Sequence, residues 1–283
     1  FAESLAMSCL TVAAAQIACE PGDIVVNLSL HLDAISDARR RGVGLLVFPE
    51  LSLTDYLSRP DTGRLARRLD DAEPAAIARA AGDMAVSFGM ILAEHGAVFN
   101  AQVLVGTGGA PAVHRKLNLP HYGNLCEADH YDAGQKLDVF ETCAGRLSTL
   151  ICADSWNPAL VWLAAQQAPD LLVQPIASAR GAVGVEFDNP ASWRINLRHT
   201  AMTYGPPTIM CNHCGTRGGL EFWGGSRILD AFGRELIELD DAPGLAVAEI
   251  DPAMTLRARA LLPTVRDANP ALIATLMRAG GLA

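Results

Sequence analysis

Leu147-Ser148-Thr149-Leu150-Ile151-Cys152-Ala153-Asp154-Ser155-Trp156-Asn157-Pro158 joins an apolar run to the start of a helix. The residues up to Ile151 read as a buried strand. Pro158 suits the first turn of the helix that follows, where its missing N–H removes no bond. Strand followed by helix makes an α/β unit, and the corner between them holds a thiol. A group at such a corner is held rigidly, faces a cleft and lies near free backbone N–H groups.

Working outward, Thr11 to Ile17 reads as another buried strand, and Asn27 to Arg41 places Leu28, Leu32, Ile35 and Ala38 at helical spacing. Leu45 to Glu50 reads as a strand, Glu73 to Ser87 as a helix and Met90 to Ala93 as a further apolar run. Ala97 to Lys116 reads as a hairpin turning at Gly-Thr-Gly-Gly, residues 106–109, and Leu137 to Cys152 as a second, turning near Ala144-Gly145. A helix from Pro158 to Gln167, a strand from Leu171 to Ile176, a helix from Ser192 to Tyr204 and a strand from Thr208 to Asn212 follow. Trp223 to Ile250 is strand-rich, with turns near Phe232-Gly233 and Ala242-Pro243-Gly244. Helices alternating with strands and interrupted by hairpins suit an α/β fold with mixed sheets covered by helices, rather than a purely parallel one. No linker or repeat divides the chain, so one domain is expected over residues 7–283; residues 1–6 precede Met7 and are left outside it.

The chain has 283 residues, half of them hydrophobic, enough for a sizeable core. A net charge of −9 excludes a nucleic-acid partner, which needs a basic face. No apolar run reaches the roughly 20 residues of a membrane span, and Leu10 to Ala18 lacks the basic flank and cleavage site of a signal peptide. Seven scattered cysteines do not form a disulfide framework, which points to a reducing, cytoplasmic compartment.

Cysteine is the strongest side-chain nucleophile near neutral pH once a neighbour takes its proton, and Cys152 is placed for that role. The Ala153 N–H could help hold an oxyanion. Glu50 ends a buried strand just after Pro49, and a carboxylate withdrawn from water suits a general base. Lys116 lies in a polar loop before Pro120, where the residues alone favour a solvated pair with Arg115; held beside carboxylates it would instead stay protonated and stabilise an oxyanion. Glu127, in a glycine-containing loop, could orient the lysine or the substrate. Trp156 and Trp223 read either as pocket walls or as core aromatics. Cys211-Asn212-His213-Cys214 has half the spacing of a zinc site and no matching second half, so no metal is expected.

Phe48-Pro49-Glu50, Arg115-Lys116-Leu117-Asn118-Leu119-Pro120 and Ile151-Cys152-Ala153-Asp154 resemble, in order and spacing, the catalytic motifs of the nitrilase superfamily of carbon–nitrogen hydrolases. The likeness runs from Ala13-Ala14-Ala15-Gln16 to Gly224-Gly225-Ser226-Arg227-Ile228-Leu229-Asp230-Ala231-Phe232-Gly233. It implies a four-layer αββα sandwich with two mixed sheets, a site without cofactors, and a homodimer or larger homo-oligomer. It implies Glu50 as base, Lys116 as oxyanion stabiliser, Cys152 as nucleophile and Glu127 as an additional active-site glutamate. Tyr56, Ala153, Trp156 and Ser178 are the expected substrate-binding positions.

Many amidase and carbamoylase members carry an Arg and a Pro-Glu where this chain has Ser155-Trp156-Asn157-Pro158-Ala159, and typical nitrilases have Trp-Glu where it has Ala153-Asp154. The expected reaction is therefore hydrolysis of a small amide through a cysteine thioester. A nitrile or an N-carbamoyl substrate is the alternative, and a binding or scaffolding relative on the same fold is the non-enzymatic one. With no synthetase domain in the sequence, a glutamine-dependent NAD synthetase is not expected. A papain-like hydrolase would need His199 or His213 as partner to the thiol.

Overall fold

The computed structural model describes residues 9–106, 108–123 and 125–282. Residues 7, 8 and 283 of the expected domain, residue 107 of the expected turn and residue 124 of the loop before Glu127 lie outside them.

The chain opens with β1 (Leu10–Gln16), α1 (Ile24–Arg40) and β2 (Leu45–Val47), then the short α2 (Thr62–Leu65), α3 (Ala72–Ala81), and the long β3 (Ala85–Glu94), β4 (Ala97–Val105) and β5 (Ala112–Arg115). The second half contributes β6 (Val139–Thr142), β7 (Gly145–Thr149), α4 (Pro158–Gln166), β8 (Leu171–Pro175), α5 (Asn189–Tyr204) and β9 (Thr208–Cys211). A small ribbon of β10 (Cys214–Arg217) and β11 (Leu220–Trp223) leads to β12 (Arg227–Leu229), β13 (Glu235–Glu238), β14 (Gly244–Ile250), α6 (Pro252–Leu261) and α7 (Pro270–Ala279).

Two six-stranded mixed sheets result, ordered β14-β1-β2-β3-β4-β5 and β13-β12-β9-β8-β7-β6. Side-chain alternation sorts the layers, because successive residues of a strand point to opposite faces. Val12 and Ala14 of β1, with Leu45 and Val47 of β2, pack against Leu147, Leu171, Val173 and Ile209 of the other sheet. Ala13, Ala15 and Leu46 face outward onto Ile35 and Ala38 of α1 and Ile77 and Ala81 of α3. On the far side, Leu150 and Leu172 meet Val161 and Ala164 of α4, while Met210 and Leu229 meet Trp193, Leu197 and Ala201 of α5. The order of layers is helix, sheet, sheet, helix: the expected αββα sandwich. Each buried Leu, Val or Ile adds about 1.5–3 kcal/mol of transfer free energy.

The helix expected over Glu73 to Ser87 stops at Ala81. Gly82, at φ +57°, ends it in a conformation that costs other residues energy, and Ala85 to Ser87 open β3 instead. α1 begins three residues before the expected Asn27 because Asp23 caps it, its Oδ1 accepting from the Val25 and Val26 N–H groups at 3.1 and 3.0 Å. α5 likewise starts at Asn189 rather than Ser192, capped by Asp188. The expectations stopped at Ile250 and did not include α6 or α7. Among the described residues no helix is long and apolar enough to cross a membrane.

Candidate active site

Three corners converge at one end of the sandwich. Beyond β2 the chain turns sharply at Pro49-Glu50-Leu51, with Leu51 at φ +52°. That turn lies on Gly89 of β3, where a Cβ would come within 2.1 Å of the Leu51 nitrogen and 2.6 Å of the Pro49 oxygen; only glycine gives the turn room. The Glu50 carboxylate is fully buried. Its Oε1 accepts from Asn100 Nδ2 at 2.7 Å and from Lys116 Nζ at 2.6 Å, and its Oε2 has no partner.

Lys116 follows β5, anchored by its backbone N–H to Asn100 O at 2.9 Å. Its ammonium lies between Glu50 and Glu127, 2.8 and 2.7 Å from the two Glu127 oxygens. Tyr56 OH donates to Glu127 Oε1 at 2.8 Å. Burial acts to lower the Lys116 pKa, but the Glu127 and Glu50 carboxylates outweigh it and hold the ammonium well above the usual lysine range. Burial pushes Glu127 up to about 7, against the pull of Lys116. An ammonium has three N–H donors; two serve the carboxylates and one remains.

Cys152 opens a 3₁₀ turn, Cys152–Trp156, directly after β7. Its φ of +44° puts a side-chain-bearing residue in the left-handed region, a strain of about 1–2 kcal/mol held by its surroundings. Burial and the Glu50 charge raise the thiol pKa well above the ordinary cysteine value, while Lys116 and an N–H bond from the Ala177 backbone act to lower it. The resting group is a thiol, so a base must take its proton as it attacks.

Asp154 ties the nucleophile's turn to the lysine's loop. Oδ1 accepts from the Leu117 and Asn118 N–H groups at 3.0 and 2.7 Å; Oδ2 accepts from the Ile151 N–H at 3.1 Å and lies 3.0 Å from His114 Nε2. Behind Glu50, His213 Nε2 donates to the Glu50 carbonyl at 2.6 Å, while Nδ1 accepts from Arg217 at 3.0 Å. Arg217 also grips both Asp55 oxygens at 2.6 Å. Burial pushes the His213 pKa down, against Asp55, in keeping with this neutral form. Cys19, Asp55 and His213 bring possible ligand atoms within 4.8 Å of one another, but the Asp55 oxygens are already committed to a guanidinium. His213 thus serves Glu50 and not the thiol, and His199 is an exposed residue of α5, so neither is the partner a papain-like site needs.

A cleft of about 450 Å³, including its open mouth, has Cys152, Ala153 and Glu127 among its lining. Tyr56, Trp156 and Ser178 line it too, so the expected site residues other than Glu50 and Lys116 share one cavity; beside it Lys116 bonds to both Glu50 and Glu127. Trp156 packs edge-on against Trp193 (ring centroids 4.8 Å apart) and Phe187 (5.8 Å). Ser178 Oγ accepts from both indole N–H groups, of Trp193 at 3.2 Å and of Trp223 at 3.0 Å. Trp223 is therefore a support behind the cleft. Asn100, Asp154, His114, His213 and Arg217 were not singled out as supports from the sequence. Asn100 and Gln102 left a signal, two amides two residues apart on an otherwise apolar strand, whereas nothing in the nucleophile motif marks Asp154 as a tie to the lysine's loop.

The carbon-nitrogen hydrolase family profile matches residues 11–260. The chain is similar to a glutamine-dependent NAD(+) synthetase of Thermotoga maritima, 29% identical over 273 residues, covering 87% of this chain and 45% of that one. It is also similar to human deaminated glutathione amidase, 28% identical over 187 residues, covering 63% and 55%. The chain thus spans about half the length of these two relatives. Among solved structures, a carbon-nitrogen hydrolase from Helicobacter pylori G27 superposes with a TM-score of 0.85 at 22% identity, covering 95% of this chain and 98% of that one. A mutant of the amidase from Nesterenkonia sp. AN1, described as showing covalent addition of the acetamide moiety of fluoroacetamide at the active site cysteine, superposes with a TM-score of 0.78 at 25% identity, covering 94% and 96%.

Proposed function

The chain belongs to the carbon-nitrogen hydrolase family, and from that membership we infer that it is an amidase, releasing ammonia and a carboxylic acid from a small amide through a thioester on Cys152. One observation carries the reading. A buried ammonium is clasped by Glu50 and Glu127, with Glu50 Oε2 unpartnered, beside a strained cysteine in a cleft.

Cys152 Sγ attacks the amide carbon as Glu50 takes the thiol proton; the S–C bond forms and the carbonyl electron pair moves onto oxygen. The remaining Lys116 N–H and the Ala153 N–H stabilise that oxyanion, while Glu127 and Tyr56 hold the lysine in place. The oxyanion collapses, the C–N bond breaks, and Glu50 returns its proton to the departing nitrogen. Water then gives a proton to Glu50, attacks the thioester and releases the acid; the proton goes back to sulfur. The same residues in the same order would serve an N-carbamoyl compound. The similarity to an amidase carrying a cysteine adduct supports the amide.

Assembly as a homodimer or larger homo-oligomer, and a cytoplasmic setting, belong to the same reading. α7 buries none of its residues and leaves Leu272, Leu276 and Met277 exposed, an apolar face of the kind that subunits cover.

Ammonia release is measured over a panel of amides, N-carbamoyl amino acids and nitriles, with Cys152→Ala and Glu50→Gln alongside. Release from amides that falls by more than about 10³-fold in each variant is expected. Release that survives Glu50→Gln refutes the base, and none from any amide by the native chain refutes the amidase reading.

A further inference from the structure

We propose that the cleft admits amides whose acyl group is uncharged and apolar, and rejects those carrying a carboxylate or an ammonium; this rests on the amidase reading and names its substrate class. Beyond the thiol, the wall is made by Tyr122, Leu125, Trp156, Ala182, Val183 and Trp193. Among the described residues lining the cleft, the only Asp, Glu, Lys, Arg or His is Glu127, and its carboxylate is already held by Lys116 and Tyr56.

Several polar handles of the wall are spent on the wall itself, and those left over are neutral. The Trp193 and Trp223 N–H groups occupy both lone pairs of Ser178 Oγ, which leaves that hydroxyl a single proton to give. One N–H of Asn189 is given to the Ala179 carbonyl, and the rest of that amide is uncharged. A carboxylate on the acyl chain would leave water and meet indole, alkyl and phenol surface, with Lys116 held between two anions beside the thiol. An ammonium would find only a carboxylate that is already shared. Burying an unpaired charge costs far more than burying the isosteric alkyl group gains. The Thermotoga maritima relative is named for dependence on glutamine, whose α-carbon bears both charges; this wall offers no cation to the carboxylate and only the shared Glu127 to the ammonium. The chain thus shares that relative's sequence pattern while its cleft is suited to different amides.

The decisive pair is 4-methylpentanamide and succinamate, which are close in size and differ by a carboxylate in place of an isopropyl group. L-Glutamine serves as the doubly charged member. In the native enzyme kcat/KM for 4-methylpentanamide is expected to exceed that for succinamate and glutamine by at least about 100-fold. Equal values, or a preference for a charged amide, overturn the proposal while leaving the amidase reading intact. Should no amide turn over, the amidase reading fails, and binding to Cys152→Ala by calorimetry decides the pocket by itself. Tighter binding of 4-methylpentanamide sustains the selection; equal or tighter binding of succinamate, or no binding of either, overturns it.

Discussion

Read from β14 across to β5, the first sheet pairs antiparallel, parallel, parallel, antiparallel, antiparallel, and the second repeats that order from β6 across to β13. The middle strand of each parallel trio runs into a proline, Pro49 just past β2 and Pro175 at the end of β8. There the likeness stops. Past β2 comes Glu50, with His31 of α1 packed over the corner, its ring stacked on Phe48 at 4.2 Å. Past β8 comes Ile176, with Trp193 of α5 packed against it. One corner became a buried charge network and the other an apolar wall. Sheet topology therefore places a corner at the cleft, and on the amidase reading side-chain chemistry decides whether that corner reacts or selects.

The sharpest way to break this division is Lys116→Met. It leaves Glu50 and Glu127 buried together without their cation, at an expected loss of about 3–5 kcal/mol in a urea titration and more than about 10³-fold in kcat. An unchanged midpoint would mean that the cluster is not the first half's hub.

Asp154→Ala cuts the tie between the halves, stripping the Leu117, Asn118 and Ile151 N–H groups of their acceptor. A loss of about 3–4 kcal/mol is expected, with kcat down about 100-fold and KM nearly unchanged. A rise in KM alone would place Asp154 with the wall instead of the reacting centre.

The smallest effect separates the two outer layers by acid. Burial lowers the His31 pKa to about 4, so the unfolded chain takes up this proton at a higher pH than the folded one. Its contribution is complete above about pH 6.5 and is lost as the pH falls towards 4, at about 1.4 kcal/mol per unit and up to about 3 kcal/mol in all. The stability difference between the native chain and His31→Gln should shrink over that window. A difference that stays flat with pH would show that His31 packs without titrating.

The corners were legible because each left a mark on a short stretch: an apolar run broken by Pro49-Glu50, a basic pair before Pro120, a thiol before a helix-opening Pro158. The layers followed from alternation and hairpin turns. Most of what could not be read has one physical source: partners far apart in the chain. Asp154 bonds to residues 36 and 37 positions earlier, and His213 reaches Glu50 across 163. Gly89 matters only because another turn crosses it. The stretch from Gly82 to Ser87 is too short to show a helical or a strand period, and α7, which buries nothing, has no core to impose a pattern.

The left-handed backbone at Cys152 also bears on how this chain can change over generations. Glycine adopts that conformation without the roughly 1–2 kcal/mol that a side chain incurs, and a cysteine codon becomes a glycine codon by one nucleotide change. Drift at this position thus runs towards a relaxed, inert chain. On the amidase reading, selection for turnover, acting against folding, is what keeps a sulfur at the corner.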